Sequence, residues 1–218
     1  MSLFITFEGG EGFGKSSQAK TLNERLKAEA YDAVLTQEPG GTDLGQEIAR
    51  LLKWSDGEAI CPLAEVMLFN ASRAELVTRV IKPALATGKV VVCDRYVDST
   101  LVYQGYGRGL NLSTVRAINA IAIQGLMPDL TFLLDMPVEK GMERKHGMTA
   151  DRFEKEELNF HRRVRDGYLV QAAAEPNRWL VVDASLPQSE ISSIIWDRVE
   201  KALDDRGLNK SQIPNVKT

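Results

Sequence analysis

The sequence predicts a three-layer α/β/α protein, a five-stranded parallel sheet covered by helices on both faces. Two observations carry that prediction. Short β-rich runs recur at Leu3–Phe7, Ala33–Thr36, Val90–Cys93, Leu130–Leu134 and Trp179–Val182, with longer helical patterns between them. The residues at the ends of these runs, Glu8, Glu38, Asp94, Asp135 and Asp183, are carboxylates. In such sheets ligands bind at the carboxyl ends of the strands.

The first run leads into Gly9-Gly10-Glu11-Gly12-Phe13-Gly14-Lys15-Ser16, followed by Ser17 and a helix whose Ala19, Leu22 and Leu26 fall at helical spacing. This is the pattern G-x-x-x-x-G-K-[ST] in a strand, loop, helix context. Glycines at 9, 10, 12 and 14 let main-chain N–H groups approach a phosphate, and the helix aims its positive end at the same place. Lys15 can reach the β- and γ-phosphates, and the Ser16 hydroxyl can ligate Mg²⁺.

Composition narrows the function classes. At 218 residues and 44% apolar content the chain can bury a full core, and a single unit over 1–218 is expected. A net charge of −3 gives no basic footprint for nucleic acid, so an anionic ligand must be held by a few placed cations. No apolar run approaches the roughly 18 residues of a membrane span, and no leader precedes the first strand, so a cytoplasmic protein is expected. Cys61 and Cys93 lack metal-type spacing and read as reduced core thiols; His146 and His161 form no zinc cluster.

Taken in order, Gln37-Glu38-Pro39-Gly40-Gly41-Thr42 is either a tight connection or a substrate loop. Thr42 or Asp43 caps a helix through Leu44, Ile48, Leu51 and Leu52. A helix from Pro62 packs through Leu63, Val66, Phe69, Leu76 and Val80. Phe69 and Arg73, four apart, share a side: they are a base-stacking and hydrogen-bonding pair, or a core phenylalanine beside a surface arginine. Val90-Val91-Val92-Cys93-Asp94 is a buried strand ending in a carboxylate, the Walker B arrangement, and Arg95 sits where it could clamp a phosphoryl group. An Asp94–Arg95 ion pair is disfavoured because neighbouring strand residues point to opposite faces.

Asp98 to Gly109, with Ser99, Thr100, Tyr103 and Gln104, reads as a stretch over the crevice that recognises a sugar and a base edge, or as a plain surface loop. A helix from Leu112 to Leu126 follows. Residues 139–152, with Arg144, Lys145, His146 and Arg152 around small residues, are a flap that closes on phosphates or a solvated basic helix. A long helix from Phe153 packs through Leu158, Phe160, Val164, Tyr168 and Leu169 and turns Arg162, Arg163 and Arg165 outward. Ile191, Ile194, Ile195, Val199 and Leu203 mark the last helix, and the tail from about 207 to 218 is expected to fray.

Together, Phe-Glu-Gly-Gly-Glu-Gly-Phe-Gly-Lys-Ser at 7–16, Gln-Glu-Pro-Gly-Gly-Thr at 37–42, Phe69 with Arg73, Asp-Arg-Tyr at 94–96, Tyr-Gln-Gly at 103–105 and Asp-Arg-Phe-Glu at 151–154 resemble the thymidylate kinase family, of bacterial type. The resemblance implies a P-loop NTPase fold and transfer of the γ-phosphate of ATP to dTMP, with Mg²⁺, usually in a homodimer. It implies that Gly9 to Ser17 hold ATP, that Glu11 faces the sugar 3′-hydroxyl and the metal, and that Ser16 and Asp94 serve the metal. Phe69 would stack on thymine, Arg73 would bind its edge, Arg95 would hold the acceptor phosphate and Tyr103 would lie against C2′. Glu38, Pro39, Ser99, Thr100 and Gln104 would line the acceptor pocket, and Arg144 or Arg152 would supply the lid cation. Two positions depart from the family pattern. Gln37 stands where arginine is common, which removes a cation near the acceptor loop, and Phe13 replaces a small residue, where it would cover the phosphates or shape the lid. A kinase of another small acceptor, or a nucleotide-dependent switch or hydrolase without a deep acceptor pocket, are the alternatives.

Overall fold

The computed structural model describes residues 2–54, 60–144 and 149–208. Five strands, β1 (Leu3–Gly9), β2 (Ala33–Gln37), β3 (Val90–Asp94), β4 (Leu130–Asp135) and β5 (Trp179–Asp183), form one parallel sheet in the order β2-β3-β1-β4-β5. Each expected strand is present. β1 is buried along its whole length, whereas β2 and β5, at the edges, alternate buried and accessible positions. The near-continuous apolar runs of β1, β3 and β4 follow from coverage on both faces.

The helices are α1 (Lys15–Ala28), α2 (Asp43–Trp54) and α3 (Pro62–Leu76), the last continued through a wide π turn at Val77–Ile81 into α4 (Lys82–Ala86). Then come α5 (Val97–Thr100) with a π segment at Leu101–Gly107, α6 (Leu112–Ile123), α7 (Val138–Arg144), α8 (Leu158–Ala174) and α9 (Gln188–Asp205). Alternation along β1 sorts the core. Leu3, Ile5 and Phe7 pack with Ala19, Leu22 and Leu26 of α1 and Ile191, Ile195, Val199 and Leu203 of α9. Phe4 faces the other way, with Val91, Cys93, Leu76, Ile81 and Ile123. A third group joins Leu133 and Trp179 to Phe160, Val164 and Tyr168 of α8.

Several expectations are corrected by packing. Residues 98–109 are largely helical, not a loop, because their glycines serve close approach: a Cβ at Gly107 would stand 2.6 Å from the Phe160 ring, and one at Gly105 2.5 Å from Leu112. α8 starts at Leu158 rather than Phe153, since the Asp151 side chain accepts the N–H groups of Phe153 and Glu154 and turns the chain first. α6 stops at Ile123 because Gln124 and Gly125 take positive φ. Cys61 is exposed at the start of α3, and only Cys93 is a core thiol. On α2 and α3, Leu44, Leu51 and Leu63 lie on the accessible side, while Ile48, Leu52, Val66 and Leu76 are buried. Thr42 caps α2 by accepting the Gly45 N–H at 3.0 Å. The expected frayed tail, from residue 209 on, lies outside the described residues, as do Lys145 and His146.

Phe13 settles deep in the structure, 3% exposed, beneath the first turn of α7. Its ring packs against Gly10 and Gly141 and borders the cleft on the α9 side. A Cβ on Gly141 would lie 2.3 Å from the Phe13 ring and 2.6 Å from the Glu11 carbonyl oxygen, so α7 rests directly on the glycine-rich loop. Gly141→Ala is expected to destabilise the fold by about 1–3 kcal/mol through overpacking. Added to Phe13→Ala it should cost less than in the wild-type background. Urea titration of the two single variants and the double variant checks both statements, and wild-type stability of Gly141→Ala would contradict the dovetail.

Candidate active site

The glycine-rich loop connects β1 to α1 through three positive-φ positions, Gly9, Gly12 and Gly14, with Gly14 as the left-handed N-cap of α1. At Gly9 a Cβ would fall 2.4 Å from the Leu134 carbonyl oxygen, so the loop presses against the end of β4. Lys15, 5% exposed, curls back to donate to the Gly10 carbonyl at 2.6 Å. Burial foremost, with Arg95 adding to it, pulls Lys15 down to about 8 against the attraction of Glu11, Asp94 and Glu8. The Ser16 hydroxyl donates to Asp94 Oδ2, while Asp94 Oδ1 is buried without a hydrogen-bond partner among the described residues.

Arg95 lies just past β3 in a left-handed conformation, φ 67°, an uncommon state for a non-glycine residue. Its N–H donates to the Phe7 carbonyl at 2.9 Å, which turns the side chain over the loop. NH1 donates to Gly9 O at 3.1 Å and to the hydroxyls of Ser99 and Tyr168 at 3.3 Å each. NH2 donates to Glu11 Oε1 and to Tyr103 Oη at 3.1 Å, and Tyr103 in turn donates to Glu11 at 2.9 Å. Burial opposes the Arg95 charge, but Glu11 and the surrounding oxygens outweigh it and keep the group protonated. Arg95 thus pairs with Glu11, not Asp94.

The far wall comes from α3, α5 and the π segment. Arg73 is 1% exposed, so it is neither a surface residue nor a free one. Nε donates to Glu38 at 2.8 Å, NH1 to Asn70 and Asn119 at 3.2 Å, and NH2 to Tyr96 O at 3.2 Å and Thr100 Oγ1 at 2.7 Å. Its five N–H groups are matched by five acceptors. Burial pushes Glu38 up to about 7 even beside Arg73. Half-buried Phe69 lies 5.6 Å from the Phe153 ring, centroid to centroid, and Tyr103 meets Phe153 edge-on at 6.2 Å. Gln104 donates to Glu65 at 2.7 Å.

These groups line one open cleft. Lys15, Ser16, Glu11, Glu38, Pro39, Phe69, Arg73, Asp94, Arg95, Ser99, Thr100, Tyr103 and Gln104 all border it, with Gln37 at its side. A second cleft, on the α9 side, is bordered by Glu11 to Gln18, Arg144, Ala184, Leu186, Gln188 and Ile191. The two clefts share Glu11, Lys15 and Ser16. Arg144, at the end of α7, borders the second cleft. Arg152 borders neither and donates to Glu65 at 2.6 Å and to Leu52 O at 2.9 Å. Arg165, expected to be merely solvated, forms a two-bond pair with Asp135 at 2.7 and 2.8 Å.

The sequence reading assigns no site role to Ala184, Leu186 and Gln188, whose only signal is the turn after β5, or to Ile191, which it gives to the last helix. It gives Phe153 to a helix as well, although the Asp151-Arg152-Phe153-Glu154 motif was a signal that could have placed it at the site.

A family model described as thymidylate kinase matches residues 7–195. This chain belongs to the thymidylate kinase family. The match runs from β1 into α9 and so includes both clefts. The chain is 60% identical over 203 residues to the thymidylate kinase of Dehalococcoides mccartyi strain 195, covering 93% of this chain and 98% of that protein. It is 50% identical over 201 residues to that of Synechococcus sp. strain JA-2-3B'a(2-13), covering 92% and 96%. The crystal structure of thymidylate kinase from Ehrlichia chaffeensis superposes with a TM-score of 0.74 at 34% identity, over 91% of this chain and 98% of that one. The family's P-loop α/β fold is the fold observed.

Because Lys15 in the free protein sits near 8 and a polyphosphate restores its charge, metal-free ADP is expected to take up about half a proton on binding at pH 8. Calorimetry in buffers of different ionisation enthalpy measures this uptake. Binding without uptake, or with proton release, would contradict the lowered value.

Proposed function

We propose that this chain phosphorylates dTMP to dTDP with ATP, the activity of its family, and that its two clefts hold acceptor and donor. The observation that carries this reading is the shared border of the clefts at Glu11, Lys15 and Ser16. A phosphoryl group held there by the loop amides and Lys15 need not leave one site to reach the other. Phosphoryl transfer requires placement and charge neutralisation more than covalent chemistry.

Each residue follows from its position. Gly9 to Ser17 cradle the donor phosphates. Arg95 keeps one nitrogen on Gly9, Ser99 and Tyr168, and its NH2 edge, shared with Glu11 and Tyr103, turns to the acceptor phosphate. Phe69 stacks on thymine opposite Phe153. Arg73 reaches the base by trading its Thr100 bond for a base oxygen, with Glu38 fixing its other edge. Tyr103 lies against C2′, Glu11 faces the 3′-hydroxyl, and Ser99, Gln104 and Pro39 complete the pocket. Arg144, bordering the donor cleft, is the nearer lid cation; Arg152 reaches the phosphates only by leaving Glu65. The 139–152 segment serves as the lid, which keeps water from competing with dTMP.

The donor set suits Mg²⁺. The unpartnered Oδ1 of Asp94 and the Ser16 hydroxyl are hard oxygen ligands on the border of the acceptor cleft, and a metal that keeps several waters and phosphate oxygens needs few from the protein. Bound there, Mg²⁺ would neutralise phosphate charge.

The homodimer fits the accessible apolar face on α2, α3 and α6, where α3 packs against both others and Leu44, Leu51, Leu63, Met67 and Ile121 are 44–79% exposed. No helix among the described residues is long and apolar enough to cross a membrane. A cytoplasmic setting, with nucleotides rather than nucleic acid as partners, is consistent with the net charge of −3.

In a coupled assay with MgATP, dTMP should be turned over and Arg95→Ala should lower kcat/KM for dTMP by roughly 10²–10³-fold, about 3–4 kcal/mol of transition-state binding. Hydrolysis of ATP that ignores dTMP, or turnover of a different monophosphate alone, would overturn the assignment. Leu63→Glu with Met67→Glu should yield monomers in sedimentation velocity, and an unchanged dimer would move the interface elsewhere.

A further inference from the structure

Glu8, the penultimate residue of β1, is fully buried and has no place in the family roles described above. Its two oxygens are spoken for. Oε1 accepts the Tyr96 N–H at 2.8 Å, while Oε2 accepts from the Ser99 hydroxyl at 2.6 Å and the Tyr168 hydroxyl at 2.9 Å. Those two hydroxyls are themselves 2.8 Å apart, so with Oε2 they form a closed triangle. Each hydroxyl also lies 3.3 Å from NH1 of Arg95.

A hydroxyl has one hydrogen to give and two lone pairs to receive with. At pH 8, above the value of about 7 to which burial raises it, Glu8 is mostly ionised and acceptor-only; the three edges of the triangle then share two hydrogens, and both stay within it. Neither hydrogen then points at Arg95, and both oxygens offer it lone pairs. We infer that Glu8 is a positioning residue for Arg95, whose carboxylate sets the two hydroxyls as acceptors and so aims the guanidinium at the acceptor phosphate.

The Glu8→Gln substitution makes the argument testable at constant shape. The amide oxygen of that variant can still accept from Tyr96, but its amide nitrogen then faces the triangle as a donor. At least one hydroxyl must turn its hydrogen outward, toward a cation that needs acceptors. The consequence falls on the phosphate and not on the base, because Phe69 and Arg73 do not touch the triangle.

The inference rests on the reading of Arg95 as the acceptor-phosphate clamp, and the experiment separates the two. Calorimetric Kd values for dTMP and thymidine are compared at pH 8 in wild type, Glu8→Gln, Tyr168→Phe and Arg95→Ala, since the ratio of the two affinities isolates the phosphate contact. Glu8→Gln is expected to weaken dTMP binding about tenfold, the scale of one charge-assisted hydrogen bond, while thymidine stays within about twofold. Tyr168→Phe should shift the ratio the same way, more weakly, and carries the test if Glu8→Gln does not fold. Equal loss of both ligands in the variants would mark a merely structural role and overturn the inference, as would an unchanged ratio where Arg95→Ala lowers it. An unchanged ratio in Arg95→Ala itself would overturn the clamp, and the inference with it.

Discussion

The register between β1 and β3 governs the site. With Phe7 opposite Asp94, the main chain leaves both strands at the same height, so the glycine-rich loop and Arg95 emerge side by side. The Arg95 N–H on Phe7 O and the Glu38 N–H on Asp94 O continue the ladder one step past the strands and fix where the side chains start. A slip by one residue would exchange faces for every side chain beyond it. Ser16 would lose Asp94, and Arg95 would lose Gly9 and Glu11.

Upon this frame the charges are arranged for anions in a chain that is itself negative. Arg73 is buried and Arg95 partly so, and each is tied to a carboxylate, Glu38 or Glu11, in a setting where an unpaired charge would be destabilising. The cost of that burial appears in the neighbours: Glu8, under desolvation and the field of Asp98, and Glu38, under desolvation, both rise to about 7, while Lys15 falls to about 8. A phosphate placed where Lys15 and Arg95 both border the cleft would oppose the fall of Lys15. Phe69, Phe153 and Tyr103 form the aromatic part of the same cleft.

What could be read in advance is what local geometry demands. Glycines at 9, 12 and 14 are needed by positive φ, and the strand ending in Asp94 needs no distant partner to be recognised. Phe69 and Arg73 were legible as a pair on one helix face, though not that Arg73 would be sealed in by Asn70, Asn119 and Thr100. The illegible parts are long-range. Phe13 has meaning only with Gly141 above it, Arg152 only with Glu65, and Glu8 only with Ser99 and Tyr168. Glycine misled at 105 and 107, where it permits close helix packing, since composition cannot distinguish a turn from a tight contact. The cleft beyond β5 is not legible because Ala184 and Leu186 carry no chemistry of their own and Gln188 stands in no motif.

The central claim is that donor and acceptor meet over Glu11, Lys15 and Ser16, so that the phosphoryl group passes once, in line, between them. Transfer from ATP made chiral at the γ-phosphorus with oxygen isotopes and sulfur tests this directly. The account predicts inversion of configuration in the dTDP analogue formed. Retention, which signals two displacements through a phosphorylated protein group, would contradict it.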